Sequence, residues 1–110
     1  MLKIDNNNAI TLTRGDTLTI TLTLKKNGQT YTPEQDDTIR FALSEGFLGE
    51  TSYRLIKEVT IPNDTLTFTL SATDTALAYN SYNYDIQVTH GDGTVDTFIS
   101  STLTITGEVK

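Results

Sequence analysis

The sequence predicts an all-β domain, and three observations carry that expectation. Apolar residues recur with a period of two in stretch after stretch, most clearly over residues 17–24 and 79–105. Turn-forming residues interrupt those stretches every ~8–12 positions. Threonine, a β-branched residue that favours strands, supplies 22 of the 110 residues. Short alternating strands at such spacing read as a single immunoglobulin-like β-sandwich of about seven antiparallel strands. The boundaries place that domain over residues 9–110, behind a polar arm over residues 1–8 that contains Asn6, Asn7 and Asn8.

Taken in order, Ile10 and Leu12 mark a first short strand, and Arg14-Gly15-Asp16 turns the chain. Leu18, Ile20, Leu22 and Leu24 then alternate with Thr17, Thr19, Thr21 and Thr23, a core face backed by a threonine row in water. Asn27-Gly28 is a strong hairpin signal, and a two-residue loop there sets Leu24 against Tyr31. Pro33 stops the return strand early, as expected at a sheet edge. An acidic loop over residues 34–37 leads into the apolar row Ile39, Phe41 and Leu43.

Residues 53–61 read as a strand of broken phase. Leu55, Val59 and Ile61 share a parity with Lys57 while Ile56 does not, which predicts a bulge near Ile56 or Lys57. Pro62-Asn63-Asp64 turns into Leu66, Phe68 and Leu70. Residues 71–78 have room for one helical turn, capped by Ser71 or Thr73, with Leu77 in the core.

The last hairpin organises the rest. Tyr82, Tyr84, Ile86 and Val88 alternate with polar residues before Gly91-Asp92-Gly93, and Val95, Thr97, Ile99, Ser101, Leu103 and Ile105 continue the period after it. A three-residue loop would set the apolar row against the polar one, so a two-residue loop is expected, at Gly91-Asp92 or at Asp92-Gly93; the second is favoured and places Val88 opposite Thr97 and Ile86 opposite Ile99.

Composition removes several functional classes. Eight basic residues against fourteen acidic ones, for a net charge of −6, leave no clustered positive face for nucleic acid. Without cysteine there is neither a disulfide nor a thiolate metal site. The first residues carry no long apolar run, so neither a signal peptide nor a membrane span is expected.

Candidate sites reduce mostly to turn and strand chemistry. Arg14-Gly15-Asp16 matches the integrin-recognised tripeptide, yet a turn before a strand accounts for it. His90 sits beside Gly91 and Asp92 and reads as a solvated turn residue rather than a shielded base. Asp85 and Asp96 share the outer face of the hairpin, where carboxylates keep ordinary pKa values. No catalytic residue is assigned, and the chain is not expected to be an enzyme.

Asp36, Asp37, Asp64, Asp74 and Asp92 fall in loops but lack the spacing of a dedicated calcium site, so no metal or cofactor is expected. The Thr-x-Thr rows lack the regular repeat that a flat ice-binding surface needs. Tyr82 and Tyr84 share the core parity and should bury with their hydroxyls on backbone groups, Tyr79 being the freer of the three. Phe47 and Leu48, between Gly46 and Gly49, put large apolar side chains in a loop. With Tyr79 they are the candidate partner contacts, the alternative for the pair being a plug in an open end of the sandwich.

The run Tyr82-x-Tyr84-Asp85-Ile86-Gln87-Val88, with Gly91-Asp92-Gly93-Thr94 and Thr97 after it, carries a resemblance. So do Arg14-Gly15-Asp16-Thr17, Lys26-Asn27-Gly28-Gln29, Asp37-x-Ile39-x-Phe41 and Asp74-Thr75-x-x-Leu77. The chain resembles the small β-sandwich domains of tailed phages and prophages of Gram-positive bacteria, the N-terminal domain of lactococcal-phage baseplate upper proteins being a named example. The resemblance implies a structural part in a virion, with other virion subunits or further copies as partners, and implies no catalytic or ligand residue. A carbohydrate- or surface-binding module of a bacterial adhesin is the alternative.

Overall fold

A computed structural model describes residues 3–4, 8–46 and 54–107. In chain order the strands are β1 (Lys3–Ile4), β2 (Ile10–Thr13), β3 (Leu18–Thr21), β4 (Lys25–Lys26), β5 (Gln29–Thr30), β6 (Thr38–Glu45), β7 (Arg54–Ile61), β8 (Thr67–Leu70), β9 (Asn80–Thr89) and β10 (Val95–Thr106). The protein is all-β, with no helix among the described residues. The polar arm thus contributes a two-residue strand, β1, to the sheet.

Six strands form one sheet in the order β1-β2-β10-β9-β6-β7, and β3 pairs with β8, β4 with β5, as two separate ribbons. The expectation of antiparallel pairing throughout is corrected at one seam, since β2 runs parallel to β10. Ile10 lies beside Leu103 and Leu12 beside Ile105, so both apolar rows enter the same core when the strands run the same way. The β3–β8 ribbon packs onto the large sheet. Phe68 of β8 lies 4.9 Å from Phe41 of β6, and Phe41 lies 5.4 Å from Tyr84 of β9 (ring centroids). Ile39, Phe41, Ile86, Val88, Leu103 and Ile105 are buried beneath the ribbon.

Most local expectations hold. Leu18 and Leu24 are fully buried, Ile20 and Leu22 partly so, and the intervening threonines are exposed. On that wet face Thr19 meets Thr69 at 3.0 Å and Thr21 meets Thr67 at 2.7 Å, cross-strand hydroxyl pairs that lace β3 to β8. Asn27 and Gly28 both take positive φ (54° and 80°), the type I′ geometry, and the Tyr31 amide donates to the Leu24 carbonyl at 2.8 Å. The β7 bulge falls at Ile56, between the Leu43–Lys57 and Ser44–Leu55 pairs.

Residues 72–75 form the single turn expected, capped by the Ser71 hydroxyl and not extended into a helix. Ser71 and Asp74 exchange side-chain-to-backbone hydrogen bonds of 2.9 and 3.2 Å, and one α-type bond joins Thr75 to Ser71. So short a stretch cannot repay the cost of starting a helix. Phe47 and Leu48 lie outside the described residues.

The β9–β10 hairpin departs from expectation. The His90 carbonyl accepts from Gly93 at 2.9 Å, the His90 amide donates to Thr94 at 2.8 Å, and Gly93 takes φ +90°. This is a three-residue loop with glycine in the left-handed position. Val88 consequently faces Asp96, not Thr97. A bulge at Phe98 then restores the phase, so Ile86 does pair with Ile99. Parity had excluded a three-residue loop because it assumed an unbroken ladder; one bulge and one extra loop residue cancel.

Candidate functional site

The slipped register creates a place where titratable groups converge. Because Asp96 is paired with Val88 it projects toward the core side of the sheet end, and the placement of Asp96 on the outer face beside Asp85 is corrected. His90, at the start of the turn, is not a free solvated residue either. Its Nε2 lies 2.8 Å from Asp96 Oδ2, and its Nδ1 lies 2.9 Å from Asp37 Oδ1.

Asp37 ends the acidic loop just before β6 and is buried. Its second oxygen accepts from the Tyr31 hydroxyl and, at 3.0 Å, from the Glu34 amide. The loop carrying it is fastened from behind. Asn63 Nδ2 donates to the carbonyls of Glu34, Gln35 and Asp37 at 3.0–3.2 Å. On the other side Lys26 Nζ of β4 reaches Asp96 Oδ2 at 3.2 Å, and the Tyr31 ring packs 5.0 Å from Phe98, the bulge residue. Gly91 is required here by space: a Cβ on it would come within 2.8 Å of Asp36 Cβ.

The electrostatics follow the geometry. Hydrogen bonds to Asp96 and then Asp37 raise the His90 pKa above its ordinary 6.5. Burial pushes the Asp37 pKa up, but hydrogen bonds from Tyr31, the Glu34 amide and His90 outweigh it and hold it below the usual carboxylate range. Asp96 is lowered by His90 and then by Lys26. The Tyr31 hydroxyl, donating to Asp37, is pushed up to about 12 and stays protonated.

When protonated, the ring donates from both nitrogens, to Asp37 and to Asp96. The protonated ring then joins three elements through a buried carboxylate and a second, more exposed one. A cleft of about 470 Å³ lies over it, lined by Tyr31, Glu34, Asp36, Asp37, His90, Gly91 and Asp92. Among the described residues no group of three or more His, Asp or Glu side chains has the arrangement of a metal site.

Elsewhere, a cleft of about 260 Å³ between β3 and the large sheet is lined by Ile10, Ile20, Leu22, Ile86 and Ile99, with Asn8 and Thr21 at its polar side. It explains why Ile20 is only partly buried. Arg14-Gly15-Asp16 is a tight turn: the Asp16 amide donates to Thr13 at 3.0 Å, and Gly15 takes φ +83°. The Arg14 guanidinium stands 5.7 Å over the ring of Tyr79, which is 60% exposed.

Tyr82 and Tyr84 are buried, their hydroxyls donating to the Ala78 and Asn8 carbonyls. Asp85, on the outer face, does not keep an ordinary pKa. Burial raises it, offset in part by Arg40 3.8 Å away, and its Oδ1 has no hydrogen-bond partner.

Only Tyr79 of the three candidate contacts can be placed, and it lies apart from the His90 cluster, which periodicity did not reveal. The available signal was a single histidine at a turn rich in glycine and aspartate; its partners, 53 and 6 residues away, came together only through the fold. Searched against protein-family models and against curated proteins, the chain matches none.

Proposed function

We propose that this chain is a non-catalytic structural or interaction module of a phage or prophage particle, in the tail, the baseplate or another accessory position of the virion, built as an immunoglobulin-like sandwich. The observation that carries the non-catalytic reading is the engagement of both His90 nitrogens by Asp96 and Asp37, which makes this cluster a fastening. Support for the immunoglobulin-like topology comes from β3–β8 lying on a sheet that contains β10-β9-β6-β7. The Tyr82 hydroxyl bonded to the carbonyl four residues upstream acts in the manner of a tyrosine corner.

The virion assignment rests on the sequence resemblance over residues 82–97 and the shorter motifs before it. In this reading the protein is made in the bacterial cytoplasm, enters the particle by contact with other virion subunits or with its own copies, and touches neither nucleic acid nor membrane. Phe47, Leu48 and Tyr79 are the contacts proposed for that assembly. Mass spectrometry of density-purified particles from an induced host strain tests it. The chain should be present in fixed proportion to the major structural proteins, and its absence from particles overturns the assignment.

The exposure of Tyr79 favours one second reading, a carbohydrate- or surface-binding module of an adhesin. A glycan-array signal abolished by Tyr79→Ala would support that reading; no signal on the array removes it.

A further inference from the structure

We propose that His90 is a pH-operated latch: protonated, it fastens the turn over residues 90–94 to the loop over residues 34–37, and on losing its proton it lets the turn come away. The reasoning starts from donor counting. A neutral imidazole has one N–H and one lone pair, yet both ring nitrogens here lie 2.8–2.9 Å from carboxylate oxygens. Removing the proton from Nδ1, with Nε2–H kept on Asp96, sets a lone pair against the Asp37 carboxylate, and the contact to the loop must open.

The surroundings amplify that loss. Facing His90 are Tyr31 after β5, Glu34, Asp36 and Asp37 from the loop, Asp92 from its own turn, Asp96 from β10 and, through Asp96, Lys26 from β4. Among these, five carboxylates face one lysine once the imidazolium is gone, and they repel across the cleft. The pKa of His90 is raised by its hydrogen bonds to Asp96 and Asp37 and then by the charges of the same two carboxylates.

The two sides are not equally free to move. The three Asn63 hydrogen bonds hold the loop whatever the state of His90. The turn contains Gly91 and Gly93 and is exposed, and its side-chain ties are largely its own Asp92–Thr94 contacts. The moving part is therefore the turn. Gly91 packed against Asp36 is the contact that opens.

His90 is the sole histidine, so its ring resonances are assigned without mutagenesis. The test is an NMR titration of the intact chain between about pH 5 and 9, following the ring and the amides of Asp36, Gly91, Asp92 and Gly93. The expected result is a ring midpoint above the ordinary 6.5, with those four amides stepping at the same midpoint. His90→Gln should remove the step, and Asp96→Asn should lower the midpoint. A midpoint at or below 6.5, amides that stay flat through the ring titration, or a step that survives in His90→Gln overturns the latch. The wild-type titration decides alone if a variant does not fold.

Discussion

Val88 and Asp96 stand opposite one another across the β9–β10 ladder. In an unbroken two-residue hairpin Val88 would face Thr97, and Asp96 would project into solvent on the far face. The three-residue loop moves Asp96 to the core side, next to His90, and the bulge at Phe98 returns the rest of β10 to its apolar phase. The extra loop residue therefore builds the cluster without costing the core its register.

Two glycines of that turn should resist substitution for different reasons. Gly91→Ala places a methyl 2.8 Å from Asp36 Cβ, a contact relieved only by moving backbone, and should cost about 1–3 kcal/mol. Gly93→Ala has open space but must hold φ +90°, which costs about 1–2 kcal/mol. Urea melts measure both. Losses under about 0.5 kcal/mol at Gly91 would mean that the loop and turn are not so closely packed.

The two faces of the ribbon and sheet should separate cleanly. Phe41→Ala and Ile86→Ala, both fully buried, should destabilise by about 2–5 kcal/mol through lost burial and a residual cavity. Ile20→Ala should fall at or below the lower end, because Ile20 borders the cleft between the layers and is only partly buried. Thr19→Ala and Thr21→Ala lose one exposed hydroxyl pair each, worth under about 1 kcal/mol. Equal losses in the two sets would mean the faces are reversed.

Acid should weaken the fold through Asp37 and Asp96. Both have folded pKa values below 3.8, so the stability they contribute is present above that value and lost as pH falls through the folded values. Asp37→Asn should flatten the acid side of a melting-temperature profile and cost about 2–4 kcal/mol below pH 6.5, where the imidazolium loses its buried partner. His90 has the opposite sign. Its contribution is present in full below pH 6.5 and lost as pH rises through its higher folded value. Maximum stability should therefore lie between the two limbs, and a profile that rises steadily to pH 9 would contradict it.

Asp85 should respond in the other direction from Asp37. Its Oδ1 is buried without a hydrogen bond, and burial makes the charged form costly. Asp85→Asn removes the charge and should raise stability at pH 7 by about 0.5–1 kcal/mol, Arg40 keeping its 2.8 Å contact with Glu58. A loss of the same size in thermal melts would show that the 3.8 Å Arg40 contact outweighs the desolvation.

By itself the sequence determined what repeats locally. Period-two alternation located the strand cores and set Leu18, Phe41, Ile86 and Leu103 inward, because a strand exposes one face and buries the other. Asn27-Gly28 specified its own turn, since few other residue pairs hold two positive φ angles. The inconsistent parity around Ile56 announced a bulge. The tertiary structure decided what depends on several elements at once. The Phe98 bulge was hidden because it and the longer loop cancel in parity. The parallel β2–β10 seam joins residues more than ninety positions apart, and the fold alone brings their apolar rows together. Asp37, His90 and Asp96 each read as a solvated turn or outer-face residue, and only the packing of the 34–37 loop on the slipped hairpin set one imidazole between two carboxylates. A charge network of that kind leaves no period in the chain, because its members are chosen by proximity in space and not by spacing in sequence.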